Sequence, residues 1–378
     1  MAFDDVKLGS DSAGGVTRDG SGEVPRRAEI ERLPGPDVVR AVALIGVVVM
    51  NYHGYLIIRG GARTGGWAAE LFDPWTGPLS TRFAATFVLV AGVGVTLLTR
   101  RVWTPDLVTV ARWQLVRRGL VLYLLGLLLD RIWPGTIIVF YGAMFAIAAL
   151  LFTLKTWWVL AVGVAATVAG WVINAWMYER ESARESVAWL TQPGPTSVRG
   201  IAFDLFVNGT HPLLPWLAFF CVGIVIGRHL DAAQLTATLV GAGLVLFASA
   251  TIVSTLSSTP FQEFVLSTDP ASRSLPYTAS ALGTSMIAFG AVSWAAERFP
   301  TVTDPLRRAG QLSLTIYLAH IAVFNLFVHW LELIEPGGIG TSLAFAGAFW
   351  VVAIDAATWW HRRFGRGPAE RVYRALSG

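Results

Sequence analysis

Histidine, asparagine, arginine and aspartate stand in this chain where hydrocarbon is expected, and these side chains can move protons and acyl groups. Asp37 and Arg40 open an apolar stretch that closes on Asn51-Tyr52-His53. If that stretch is one α-helix, the two polar groups lie roughly 21–24 Å apart, enough to reach both faces of a bilayer. Arg82 opens the next apolar run, Asp73 sits between the two runs, and His211 precedes a third in Asn208-Gly209-Thr210-His211-Pro212. A neutral imidazole can deprotonate a hydroxyl or carry an acyl group, while the Asn51 amide or the Arg82 guanidinium can hold an oxyanion. His53, His211, Asn51, Arg82 and Asp73 are therefore expected to meet in one outward-facing pocket. Plainer roles compete with this reading. Asp37 suits an N-cap paired with Arg40 at i, i+3, Pro212 suits the first turn of a helix, and His320, in mid-helix, is read as a packing residue.

The elements that must position these groups are all helical. Apolar residues make up 54% of the 378 and charged residues 14%, with a mean hydropathy of +0.56. That composition lacks the charged surface of a soluble domain and indicates an all-α, polytopic integral membrane protein. Spanning segments are expected near 38–58, 82–99, 112–130, 135–153, 156–177, 212–229, 233–256, 276–296, 309–331 and 338–358, about ten helices. Placing both termini in the cytosol puts most of the 29 Lys and Arg residues on the cytosolic side, as the positive-inside bias requires. The 16 tryptophans suit the water–lipid boundary. Residues 1–31, rich in Gly, Ser and charge, read as a disordered cytosolic tail without a signal-peptide core. The transmembrane domain then covers 32–361, and 362–378 is a basic cytosolic tail.

Two outward loops are long, about 178–211 and 257–275, and the first, with Trp189 and a Gln192-Pro193-Gly194-Pro195 turn, has the composition of a cap or vestibule. The single Cys221 excludes an intrachain disulfide, and no cluster of residues has metal-ligand spacing. A Walker-type phosphate loop is absent, which argues against a nucleotide-driven pump. On the cytosolic side Arg100, Arg101, Arg112, Arg117 and Arg118 lie near the Asp37/Arg40 end of the first span. Guanidinium groups in such a cluster suit either coenzyme A phosphates or anionic lipid headgroups. The Gly223-x3-Gly227 spacing is too common in Gly-rich spans to establish a dimer seam, so a homodimer stays one option.

Arg32-x4-Asp37-x2-Arg40, an apolar helix and then Asn51-Tyr52 resemble the opening of the heparan-α-glucosaminide N-acetyltransferase family and its bacterial relatives. The blocks Gly310-x2-Ser313-Leu314-Thr315-x-Tyr317-x2-His320 and Gly367-Pro368-Ala369-Glu370 resemble the closing motifs of the YeiB-type branch. The resemblance implies transfer of an acyl group from cytosolic acyl-coenzyme A, acetyl-like, to a hydroxyl or amine of an extracytoplasmic glycan or envelope acceptor. It maps Asn51, Asp37 and Arg40 onto the family motif. It also marks departures. The family's catalytic His falls eleven residues beyond the Asn, at Ala62, or at Phe72 if the His-x2-Trp-x-Gly element is aligned on Phe72-x2-Trp75-x-Gly77, and Ala41 replaces the motif Gly.

The expected activity is acyl-coenzyme A-dependent acyl transfer without a metal, with His211, beside the larger loop, favoured slightly over His53 as the reacting histidine. Asn51 and Arg82 complete the acceptor side, and Asp37, Arg40, Arg117 and Arg118 the donor side. The Arg, Ala, Gly and Trp bias points to a high-GC bacterium and so to its plasma membrane and envelope. The rival readings are a transporter or flippase of a polar lipid or small solute, and a non-catalytic envelope scaffold; nothing suggests nucleic acid.

Overall fold

In the computed structural model, residues 33–378 are described, apart from 64, 101, 103, 193, 195 and 196. The tail through Arg32, Arg101 and the prolines of the Gln192–Pro195 turn thus lie outside the described residues. The described chain is helical, with no strand among the described residues. In order the helices are α1 (Pro34–Ile58), α2 (Trp67–Leu71), α3 (Arg82–Thr99), α4 (Pro105–Asp130), α5 (Ile138–Leu151), α6 (Thr156–Ser182), α7 (Ala188–Thr191) and α8 (Val198–Phe203). There follow α9 (Leu213–Arg228), α10 (Leu235–Ser254), α11 (Pro260–Val265), α12 (Leu275–Arg298), α13 (Pro300–Gln311), α14 (Ser313–Phe324), α15 (Ile339–Phe364) and α16 (Pro368–Ser377).

Each of the ten expected segments overlaps a helix, yet not each passes as a span. Seven helices among the described residues are long and apolar enough to cross a membrane, or eight if Val198–Asn208 and Leu213–Arg228, bent by 60°, form one broken span. With that pair counted, two of the ten still fall short, for different reasons. α4 carries Arg112, Arg117 and Arg118, and α5 has only 14 residues. The protein is a multi-pass membrane protein.

Helix α1 is the hub. Pro34 opens it, Asp37 sits in its first turn, and it packs against α3, α12, α13, α14 and α15. Three helix pairs around it close on facing glycines. A Cβ on Gly92 of α3 would fall 2.1 Å from the Phe220 carbonyl oxygen, and one on Gly223 of α9 would fall 1.9 Å from that of Leu89. Gly119 and Gly142 join α4 to α5 in the same way, and Gly243 and Gly283 join α10 to α12. Between apolar helices in lipid, attraction comes from close packing, and a bare Cα is what permits it. Gly223 and Gly227 thus face α3 of the same chain, with Gly227 against Thr96.

The loop segments are folded as well. Between α6 and α9, Trp189 meets Trp176 and Phe203 edge-on, and Asn208 donates to the Leu190 carbonyl at 2.7 Å. Residues 362–378 complete α15 and then form α16, which packs on α4 and α14.

Replacing Gly223 with Leu should lower the detergent melting temperature by an amount equivalent to about 1–3 kcal/mol or more, because overpacking here meets backbone. Gly241→Leu, where nothing lies within 4 Å of an added Cβ, should leave it unchanged. Equal behaviour of the two variants in a thermal melt would contradict the crossing described.

Candidate active site

Asn51, Tyr52 and His53 occupy one turn of α1, and a helix sends adjacent residues to different neighbours. Asn51 Nδ2 lies 3.2 Å from His320 Nε2 on α14. The Tyr52 hydroxyl donates to the His320 backbone carbonyl at 3.0 Å. His53 Nδ1 lies 3.1 Å from Ser342 Oγ on α15. The expectation that Asn51 and His53 share one pocket is therefore corrected: residues two apart on a helix point to nearly opposite sides.

The two buried histidines differ in what their nitrogens have left to do. His320 Nδ1 donates to the Tyr317 carbonyl, so its Nε2 is the acceptor for the Asn51 amide, and both nitrogens are used. Ser342 Oγ donates to the Gly338 carbonyl at 3.3 Å, so it accepts the Nδ1 proton of His53. His53 Nε2 then keeps an open lone pair, buried and with no hydrogen-bond partner among the described residues. A buried polar atom left without a partner is costly, and such atoms gather at functional sites.

The loop above His53 is held rigidly by an aspartate. Asp73 accepts from Arg63 Nε at 2.6 Å, from the Trp75 and Thr76 amides at 2.9 and 2.8 Å, and from Thr76 Oγ1 at 3.0 Å. Burial alone would raise its carboxyl pKa, but the bonds from Arg63, Thr76 and Trp75 outweigh that and hold it well below the ordinary carboxylate range. Pro74 then rests on α1, 3.4 Å from where a Cβ on Gly54 would lie. Ala62 of the same loop is 3.8 Å from a Cβ placed on Gly338, the residue that takes the Ser342 hydrogen bond.

His211 and Arg82 belong to a second cluster. Arg82 donates to Ser280 Oγ at 2.9 Å and lies over the Tyr277 ring, whose hydroxyl meets Thr81 Oγ1 at 2.9 Å. Arg273 gives its guanidinium to the carbonyls of Val207, Asn208 and Gly209, which fixes the strand of chain leading to His211. The His211 ring is edge-on to Trp216 and tilted against Phe140, and its Nδ1 is buried without a partner among the described residues. No hydrogen bond among the described residues joins this cluster to His53.

At the opposite end of α1, Asp37 holds Arg40 at 3.0 Å and accepts from Gln311 Nε2 at 3.0 Å. Gly310 comes so close to the Asp37 carbonyl that a Cβ would fall 1.8 Å from its oxygen. Arg117 and Arg118, expected beside this pair, turn to α16 instead. Arg118 stacks over Tyr373, and Arg117 lies against Gly378, whose carbonyl accepts from Gln114 at 2.6 Å. The closing blocks also meet: Glu370 accepts from the Leu314 and Thr315 amides at 2.7 and 3.1 Å and from Thr315 Oγ1, capping α14.

A family model described as heparan-alpha-glucosaminide N-acetyltransferase, catalytic, matches residues 32–258, more than half of the chain. The chain belongs to the heparan-α-glucosaminide N-acetyltransferase family. A second model, described as a protein of unknown function (DUF418), matches residues 225–378. No curated protein matches the chain. In this acetyltransferase-family chain, Asn51 falls in the first matched region and His320 in the second, so their hydrogen bond ties the two together. Sequence reasoning missed that partnership and that of His53 with Ser342. Separations of 269 and 289 residues leave no local signal, although His320 lies in the quoted closing block.

The Asp73 clasp has a pH signature. A carboxyl whose folded pKa is depressed adds stability that is complete above the unfolded value of about 3.9 and is lost as pH falls through the folded value. Asp73→Asn should therefore lower the melting temperature at pH 7, and the gap to the native protein should close on acidification below about pH 3.9. A gap that persists unchanged in acid would show that the charge of Asp73 does not hold the loop.

Proposed function

We propose that this protein is a transmembrane acyltransferase of the plasma membrane that moves an acetyl-like group from cytosolic acyl-coenzyme A to a hydroxyl or amine of an extracytoplasmic glycan or envelope acceptor. The observation that carries this reading is the open Nε2 of His53 beneath the loop that holds Ala62. The family's histidine is lost from the loop, and His53 supplies an imidazole from the helix below it. Helix α1 spans the distance between the Asp37/Arg40 end and His53, roughly 24 Å for 16 residues, as transfer across a bilayer requires.

With Ser342 holding the Nδ1 proton, His53 Nε2 takes the proton of the acceptor hydroxyl or amine as its oxygen or nitrogen attacks the thioester carbonyl. The carbon–sulfur bond breaks, and the proton passes from Nε2 to the departing coenzyme A sulfur. Alternatively Nε2 itself attacks, the coenzyme A thiolate leaves, and the acceptor opens the acyl-imidazolium, its proton passing to the freed Nε2 and from there to the released thiolate. On the donor side the reading draws on Asp37 and Arg40, with Arg117 and Arg118 as further cations for phosphate. Asn51 orients α14 through His320, and Arg82 with His211 forms the second outward cluster. Cytosolic termini place the basic α16 on the donor side.

Transfer from acetyl-, succinyl- and long-chain acyl-coenzyme A to envelope glycans should fall by a hundredfold or more, to order of magnitude, in His53→Ala, while Ser342→Ala should be slowed less. Loss of transfer in His211→Ala with His53→Ala unaffected would move the role to His211. Absence of thioester binding to the native protein, measured beside an Arg117→Ala/Arg118→Ala variant, would remove the acyltransferase reading in favour of transport.

A further inference from the structure

Apart from the site at His53, the described residues contain a cavity of about 560 Å³ between α14 and α15. Its walls include Ile316, Val323, Phe327, Phe345, Ala353 and Trp360. Thr315 is the only lining side chain with a hydroxyl, and the slot runs along two candidate spans from the Leu312/Trp360 end to the Phe327/Ile334 end. Leu312 to Phe327 is roughly 22 Å of helix by rise per residue, the length of a lipid tail rather than of a small polar solute. Small Ala353, Ala356 and Ala357 make one wall shallow.

The Leu312/Trp360 end is not apolar. Arg308, one turn before Leu312 on α13, gives one nitrogen to Asp304, but its Nε and Nη1 are buried without partners among the described residues. Thr358 Oγ1 and His361 Nδ1 of α15, each one residue on from a cavity residue, are also buried and unpartnered. Arg308 and Arg307 lie near enough to His361 for their charges to act on it. Arg362, Arg363, Arg366 and Arg371, which follow Trp360 in the chain, are exposed, and Trp360 Nε1 donates to the Arg366 carbonyl at 3.0 Å. Unused guanidinium, hydroxyl and imidazole groups at the mouth of a tail-length apolar slot match a phosphate joined to an acyl chain.

We propose that this slot is a binding site for an anionic membrane phospholipid, with one acyl chain between α14 and α15 and the phosphate on Arg308, Thr358 and His361. None of the slot residues is His53, Asp37, Arg40, Arg117 or Arg118. The full chain is incorporated in nanodiscs, released, and weighed by native mass spectrometry with phosphatidylglycerol or phosphatidylcholine of identical chains. Native protein should retain phosphatidylglycerol about tenfold better, a loss of one charge-assisted bond being worth about that factor. Arg308→Gln should abolish the headgroup preference while keeping tail binding, Arg308→Lys should restore part of it, and Ala353→Trp should lower retention of both lipids. Circular dichroism and monodispersity confirm that each variant is folded. The proposal is overturned by equal retention of the two lipids, by an unchanged preference in Arg308→Gln, by a lipid-free dimer with the slot closed, or by displacement of phosphatidylglycerol by long-chain acyl-coenzyme A.

Discussion

A polar side chain on a helix inside hydrocarbon must find its partner within the protein, because no water replaces one that is missing. Helix α1 carries such groups at both ends, and the bundle is arranged around their satisfaction. Asp37 is met by Arg40 and Gln311, Asn51 by His320, Tyr52 by a backbone carbonyl, and His53 by Ser342. Apart from Arg40, those partners come from α13, α14 and α15, which fixes three late helices around the first. His53 is the exception that gives the arrangement a chemical use. One of its nitrogens is held, and the other is buried without a partner among the described residues.

The helical class, the approximate position of every long helix and the family were legible because a span needs a long apolar run, and such runs are visible in any window. Whether α4 and α5 cross was less legible, since Arg112, Arg117 and Arg118 interrupt one and length limits the other. Which polar groups meet was not legible. Asn51 and His53 are two residues apart in the chain and part company on the helix, whereas Asn51 and His320 are distant in the chain and adjacent in space. The facing glycines were visible as residues, but their partners depend on which helices cross, and Gly223 serves a crossing within the chain.

The two quoted blocks near the end of the chain gain a physical reason for occurring together. Thr315 needs its hydroxyl and amide capped at the start of α14, and Glu370 supplies the carboxylate after the turn at Gly367 and Pro368. Thr315 Oγ1 in turn accepts from the Ala369 amide at 3.1 Å. The bonds are reciprocal, so neither block is complete without the other, and α14 is the helix that carries His320.

That clasp sets an order of events during synthesis. When α14 leaves the ribosome its first amides and the Thr315 hydroxyl have no carboxylate to meet, and they wait for more than fifty further residues, through the whole of α15, before Glu370 arrives. The helix that fixes Asn51 can reach its final seating only when α16 has been made. Translation of α16 thus acts as a latch on α14, and a nascent chain stalled before it would present an unfinished α14 to the machinery that inspects membrane proteins.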